Sequence, residues 1–303
     1  MVTAHAPTLI VIGGPTASGK TQAAATLART LGTEVISADS RQFYRAMRIG
    51  TARPTEAELL GVKHHFLGHL DLSDTWSAGT FARAAEPVLQ NILARHGTAV
   101  LVGGSGLYID ALLFGLDEMP PVDPLLRARL QERLSTEGLA TLTAELRRLD
   151  PLSWERIDRA NPHRVVRALE ICLTSAKPYS EHRSGPKERT DLRIIRIAMD
   201  PPRATLYAGI DARVDRMIAE GLVEEARSLL PFRSHNALRT VGYSELFRHF
   251  DGELSLEAAI GLIKQHTRNY AKRQGTWLRR HAGWIGTAPA EAVGAALRAM
   301  ANG

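Results

Sequence analysis

The sequence predicts an α/β fold, a parallel sheet covered by helices with a helical insertion mounted in it. Three observations carry this. Short apolar runs at Leu9–Ile12, Glu34–Ser37 and Ala99–Val102 alternate with helical stretches at 22–31 and 78–95, the second with Pro87 inside its pattern. The first run leads into Gly14-Pro15-Thr16-Ala17-Ser18-Gly19-Lys20-Thr21, which fits G-x-x-x-x-G-K-[ST] and is followed by an Ala- and Leu-rich segment. Between 117 and 190 no strand signal appears, and then Leu192–Met199 reads as a strand again.

A chain of 303 residues holds one large domain or two small ones with a sizeable core. Its 44% apolar and 23% charged residues are ordinary for a globular protein. A formal charge of +6 and a pI near 9.7 favour a polyanionic partner. The single cysteine, Cys172, lies in the apolar pattern Leu169–Cys172–Leu173 and reads as buried. One cysteine forms no disulfide within the chain, which suits a reducing compartment. No apolar run reaches the roughly 18 residues a membrane helix needs. Residues 1–8 carry no basic leader, so the expectation is a cytoplasmic protein with no membrane attachment.

Leu9-Ile10-Val11-Ile12 reads as a buried strand, and the glycine loop turns from it into a helix. Strand, loop, helix is the context this motif requires. Glycines let the backbone curl so that successive N–H groups point inward. The helix start adds the positive end of its dipole, Lys20 adds a full charge, and the Thr21 hydroxyl suits magnesium. All eight loop residues are candidates for phosphate binding on a P-loop NTPase-like core. The loop specifies a polyphosphate; it does not specify ATP.

The second strand ends beside this loop in Asp39. Asp39 reads either as a turn aspartate capping the next segment or as a working carboxylate. A Walker-type NTPase usually carries its magnesium aspartate after a hydrophobic strand. Here the strand Ala99–Val102 ends in Gly103-Gly104-Ser105-Gly106 instead, which leaves Asp39 the best-placed carboxylate. That second glycine turn is an anion nest, a site of close substrate approach, or simply a tight turn. Ligands of parallel sheets bind beyond the carboxyl ends of the strands. Residues 14–21, 38–42 and 103–106 are therefore expected around one crevice. His64 and His65 have no partner at metal-site spacing and read as structural or orienting.

From about residue 117 the texture changes. Asp123-Pro124, Asp150-Pro151 and Asn161-Pro162 each open a helical pattern, the first residue as N-cap and proline in the first turn. Ser180–Asp191, with Gly185-Pro186, reads as a loop. The core then resumes, with helices expected over 203–230, 236–250 and 255–281. The expected domains are 1–116 with 191–303, and 117–190.

Two stretches are basic and free of acids. Residues 40–55 hold Arg41, Arg45, Arg48 and Arg53; residues 258–290 hold Lys264, Arg268, Lys272, Arg273, Arg279 and Arg280. Lys264, Arg268 and Lys272 recur every fourth residue and share one helix face. A solvated face normally mixes signs, so phosphate-backbone binding is favoured over a merely solvated face. The interleaved Tyr270, Trp277 and Trp284 read as core.

These segments stand in the order of a known family. Gly14-Pro-Thr-Ala-Ser-Gly-Lys-Thr21, Ser37-Ala-Asp-Ser-Arg-Gln42, Gly50-Thr-Ala-Arg-Pro-Thr55 and Val102-Gly-Gly-Ser-Gly-Leu-Tyr108 come first. Arg167-Ala-Leu-Glu170, Val241-Gly-Tyr243 and Lys272-Arg-Gln-Gly-Thr-Trp-Leu-Arg279 follow. On these motifs the chain resembles the bacterial tRNA dimethylallyltransferases over almost its whole length. Ser105 stands where the family usually has threonine, and Arg53 where it has lysine; each keeps its chemical group.

The resemblance implies that dimethylallyl diphosphate is the donor, that N6 of adenosine 37 in tRNA is the acceptor, and that Mg2+ is needed. It implies catalytic roles for Asp39, Ser105 and Arg213, diphosphate binding by Gly14 to Thr21, and magnesium at the Thr21 hydroxyl. It implies tRNA contacts at Asp39, Ser40, Arg41, Gln42 and Ser105, and on the insertion at Arg127, His163, Arg164 and Arg167. Others fall at Arg239, Gly242 and Tyr243, then at Lys272, Arg273 and Arg279. The implied partner is the tRNA anticodon stem-loop, bound by a monomer. The rival readings are a prenyltransferase of free adenine nucleotides, an ATP-dependent small-molecule kinase and a non-catalytic RNA-binding protein.

Overall fold

A computed structural model of the chain describes residues 6–121, 123–185 and 187–302. Residues 1–5, part of the stretch read for a leader, and Pro186, part of the loop read at 180–191, lie outside the described residues. Internal contacts divide the chain into two compact units, Met1–Leu113 with Arg189–Gly303, and Phe114–Glu188.

The first unit opens with β1 (Thr8–Gly13), α1 (Lys20–Leu31), β2 (Val35–Ser37), β3 (His64–His65), α2 (Ala78–His96), β4 (Thr98–Gly103) and α3 (Gly106–Phe114). The second unit holds α4 (Pro124–Thr136), α5 (Gly138–Leu149), α6 (Pro151–Arg156) and α7 (Pro162–Ser175). The chain returns with β5 (Arg193–Met199), α8 (Arg203–Ala219), α9 (Leu222–Leu229) and α10 (Tyr243–Phe250). It closes with α11 (Leu256–Arg280), β6 (Trp284–Thr287) and α12 (Ala292–Ala301).

The strands form one parallel sheet in the order β3-β2-β4-β1-β5-β6. All six residues of β1 are buried, as an unbroken apolar run demands when both faces of a sheet are covered. On one side Ile10, Ile12, Val100 and Ile197 pack against Ala23, Ala24 and Leu27 of α1 and Ala292, Ala295 and Ala296 of α12. Gly13 pairs in register with Gly103, and Ser37 with Val102, so three strands end level. The 14–21, 38–42 and 103–106 turns thus leave the same edge.

In the second unit the Asp-Pro and Asn-Pro signals act as expected. Asp123, Asp150 and Asn161 each cap a following backbone N–H through the side chain, with proline in the first turn. Asp150 is buried and also accepts from Ser180 N at 2.7 Å and Ser180 Oγ at 2.9 Å. Leu130, Leu142, Leu146, Val165, Leu169 and Cys172 form the core.

Some elements differ from the sequence reading. The helix expected over 203–230 breaks at Gly221, and that over 236–250 begins only after Gly242; both glycines hold positive φ, 99° and 100°. β3 and β6 were not expected. β3 has two residues and β6 is half-exposed with a glycine inside, so neither presents a usable alternation. Among the described residues no helix is long and apolar enough to cross a membrane.

Gly13 ends β1 under the side chains of β6 and α11. A Cβ placed there would stand 2.7 Å from the Trp284 ring and 2.9 Å from Leu278. Gly13→Ala should therefore overpack the sheet edge and cost ~1–3 kcal/mol. Denaturant unfolding of the purified variant checks this; unchanged stability would mean that Trp284 yields freely.

Candidate active site

The glycine loop is the floor of the site. Ala17 and Gly19 take left-handed φ values of 62° and 84°, which curl the backbone before α1 begins at Lys20. The Lys20 ammonium folds back and donates to Pro15 O at 2.7 Å. Thr16, Ala17, Gly19, Lys20 and Thr21 line a cleft of about 830 Å³ that opens to solvent. Gly14 and Ser18 pack beneath it, where a Cβ on Gly14 would come 2.8 Å from Ser18 Oγ.

Two half-buried cations sit in this cleft. Burial pushes the Lys20 amine down to about 8, against the pull of the Asp39 carboxylate, and Arg213 adds to the depression. Burial likewise draws the Arg213 guanidinium down, Arg216 reinforces this, and Asp39 and Glu58 oppose it. Arg213 comes from α8 and reaches Thr16 Oγ1 at 3.4 Å. Partly desolvated like charges favour an incoming anion.

Asp39 caps its turn and also faces two cavities. Its Oδ1 accepts from Arg41 N at 3.2 Å and its carbonyl from Gln42 N at 3.1 Å, so it caps the turn. It also lines the phosphate cleft and a second groove of about 1360 Å³. Thr16, Thr51, Ala52 and Arg213 line both as well. The groove continues past Ser40, Arg41, Arg239 and Arg273, with Val214, Met217, Leu222 and Ile263 as apolar wall.

Ser105 joins the first residues of α3 to the Asp39 turn. Its Oγ accepts from Ser40 N at 3.1 Å and lies 3.1 Å from Ser40 Oγ. The Tyr270 hydroxyl lies near Ser105, and burial with the nearby Asp39 charge pushes the phenol up to about 12. Tyr270 therefore keeps its proton. It was expected in the core and instead lines the groove.

Gln274 is the residue that the sequence reading passed over. Buried in α11, it accepts from Thr16 N at 2.8 Å and donates to Gly104 O at 3.0 Å. One amide thus ties the phosphate loop to the second glycine turn. The available signal was helical period, since Ile263, Ala271, Gln274 and Leu278 form the buried face of α11.

The residues expected at tRNA fall into three groups. Arg239 and Arg273 are exposed and line the groove, and Lys272 and Arg279 are exposed on α11. Arg41 donates to the carbonyls of Asn236 and Ala237, and Gln42 to those of Thr51 and Ala52, all at 3.1 Å. Both bind backbone while facing a cavity. Tyr243 is a correction: it is 0% exposed and donates to Glu225 Oε1 at 2.6 Å, so it offers no surface to RNA. Gly242 is buried beside it and donates to Glu245 Oε2 at 2.7 Å.

The basic face of α11 also needs correction. Lys264 pairs with Asp215 at 2.6 Å and Arg268 with Asp211 at 2.5 Å, both acids from α8. A stretch free of acids in sequence is not free of them in space. In the second unit Arg127 and Arg167 both bind the buried Glu170 at 2.7 Å, while His163 and Arg164 are exposed in the first turn of α7. Trp277 and Trp284 pack edge to face at 5.7 Å, but both are only half-buried and stand at the margin of the core. His65 binds Glu34 at 2.6 Å on the sheet edge, an orienting role.

A glycine loop with lysine and threonine at the head of a parallel sheet defines the P-loop class of α/β proteins. Comparison with known proteins narrows this. The family model described as IPP transferase matches residues 42–281. The curated tRNA dimethylallyltransferase of Christiangramia forsetii is 47% identical, with 90% of each chain covered. The crystal structure of the tRNA isopentenylpyrophosphate transferase from Bacillus halodurans matches with a TM-score of 0.71 at 35% identity, covering 98% of this chain and 96% of that one. A eukaryotic dimethylallyltransferase acting on tRNA matches with a TM-score of 0.74 at 25% identity, covering 93% of this chain and 74% of that one. The chain belongs to the tRNA dimethylallyltransferase family.

Lys20 carries its charge below about 8 and loses it above. Affinity for inorganic diphosphate should then weaken as pH rises through that value. The ratio to a Lys20→Arg variant, whose charge persists, cancels the ionisation of the ligand. Calorimetric titrations on both sides of pH 8 read this ratio, and a constant ratio would show that Lys20 does not meet the anion.

Proposed function

We propose that the protein transfers the dimethylallyl group of dimethylallyl diphosphate to N6 of adenosine 37, beside the anticodon of tRNA, and releases diphosphate. One observation carries this reading: the phosphate cleft and the larger groove meet at Asp39, Thr16 and Arg213. A diphosphate in the cleft then presents its allylic carbon towards a base in the groove.

The adenine N6 amine is a poor nucleophile because its lone pair is delocalised into the ring. Asp39 takes its proton as the C–N bond forms. The allylic C–O bond breaks at the same time, and its electron pair leaves with diphosphate. Lys20, Arg213 and the inward N–H groups of the loop stabilise that charge, and they do so in a poorly solvated site where electrostatics are strong. Tyr270 and Ser105 hold the Asp39 turn in place. The loop therefore grips a leaving group rather than an activating nucleotide.

The oxygen donors of the cleft, the Thr21 hydroxyl with the Asp39 and Glu58 carboxylates, suit magnesium, which keeps few protein ligands and binds substrate phosphates. Magnesium would be held at the Thr21 hydroxyl and would neutralise charge on the diphosphate. The anticodon stem-loop is the proposed tRNA element. Arg239, Lys272 and Arg273 are proposed to meet its phosphates, and the target base leaves its stack to enter the groove. A monomer in the cytoplasm, where tRNA is found, completes the reading.

Incubation with dimethylallyl diphosphate and unmodified tRNA, with AMP, or with ATP plus small acceptors, followed by product mass, tests the proposal. Prenylated tRNA is expected, and ATP should compete only as a phosphate mimic. Phosphoryl transfer from ATP would overturn it. Asp39→Ala should lower the rate by ~10²–10⁴ while tRNA affinity stays within a few-fold. Near-normal turnover would leave Asp39 a turn cap and nothing more.

The α11 surface gives a separate test. Lys264 and Arg268 already have acid partners, so Lys272 carries the expectation. Lys272→Ala should weaken binding to all substrate tRNAs alike and flatten the slope of log K against log salt by somewhat under ~1. An unchanged slope with unchanged affinity removes Lys272 from the RNA surface.

A further inference from the structure

Three consecutive backbone N–H groups outside the phosphate loop converge on one side chain. Arg48 N and Ile49 N donate to Glu225 Oε2 at 3.0 and 2.8 Å, and Gly50 N donates to Glu225 Oε1 at 2.9 Å. The Tyr243 hydroxyl adds a fourth bond to Oε1 at 2.6 Å. Successive N–H groups pointing one way form a concavity for an anion. Here the anion is supplied by the protein itself, from the first turn of α9, where a negative charge also suits the helix dipole.

The nest has a built shape. A Cβ on Gly50 would stand 2.6 Å from the Tyr243 ring, so the ring lies directly against the backbone. Burial is the main force raising the Tyr243 phenol above its ordinary value, and the Glu225 charge adds to it. The phenol therefore stays a donor to the carboxylate.

The loop that follows explains why such a clamp is needed. Thr51 and Ala52 line both the phosphate cleft and the groove. Ala52 holds a left-handed φ of 47°, a conformation that a residue with a Cβ keeps only when its surroundings over-determine it. Gln42 holds the loop from one side through the Thr51 and Ala52 carbonyls, and Thr51 Oγ1 donates to Met47 O at 2.7 Å. Glu225 holds the residues just before it from the other.

We propose that Glu225 is a positioning residue for catalysis: its carboxylate, clamped by the Arg48–Gly50 N–H groups and Tyr243, fixes the Thr51–Ala52 wall between donor cleft and acceptor groove. Glu225 itself lines neither cavity and acts only through that wall. The phosphate loop has its own anchor in Gln274 and does not depend on the clamp.

The test uses Glu225→Gln and Tyr243→Phe in the full chain. The amide of Glu225→Gln turns one acceptor into a donor facing N–H groups. Tyr243→Phe removes a single bond and spares the nest. Three readouts are taken on folded protein: hydrogen exchange of the 48–53 amides, affinity for inorganic diphosphate, and kcat for prenyl transfer. Glu225→Gln should speed exchange in this segment and lower kcat by roughly ten- to a hundred-fold, as misplacement by about 1 Å does. Diphosphate affinity should stay within a few-fold. Tyr243→Phe should show the same pattern more weakly. Wild-type kcat in Glu225→Gln would overturn the proposal. So would a parallel fall of kcat and diphosphate affinity in both variants, the mark of a fold anchor. The kcat readout rests on the prenyl-transfer reading; if that reading fails, wild type itself shows no turnover, whereas exchange and diphosphate affinity still report on the clamp.

Discussion

The site depends on a single buried amide. Gln274 occupies the gap between two glycine turns that leave neighbouring strands, and it satisfies an N–H of one and a C=O of the other. Neither strand pairing nor helix geometry can serve these groups, because each lies past the end of its strand. Left unpaired in a buried setting, each would cost about 1–3 kcal/mol. A hydrocarbon of equal size would fill the space and leave both groups orphaned. A glutamine therefore sits on the otherwise apolar buried face of α11.

Around this joint the protein arranges charge so that the cleft favours an anion. Lys20 and Arg213 lose hydration and disfavour each other, and Asp39 compensates only in part. The same carboxylate that tempers the two cations faces the groove. The two cations of the cleft and the carboxylate that also faces the groove are thus electrostatically coupled.

The parts legible in the sequence were those written in local pattern. The phosphate loop, the level strand ends and the Asp-Pro and Asn-Pro helix starts each depend on residues close in the chain. The position of Asp39 was legible for the same reason. What escaped was set by contacts between distant segments. Gln274 looks polar among charges until α11 is laid against the glycine turns. Tyr243 stands in a motif that suggests a surface, yet its ring lies against Gly50. The acid-free stretch 258–290 suggested an open basic face, and only the crossing of α8 brings Asp211 and Asp215 to it. β3 and β6 lie at the sheet edges, where short pairing replaces periodicity as the cause of strand structure.

Thr16 and Gln274 are 258 positions apart. During synthesis the loop that carries the motif emerges first, and the side chain that completes it emerges 258 positions later. Until then the glycine turns lack their shared partner, and a nascent chain does not hold a finished site. Domains otherwise settle as they emerge, amino-terminal portions first. Here the order of translation delays competence until α11 has emerged. A chain cut short before α11 would keep the motif and lack the joint that shapes it.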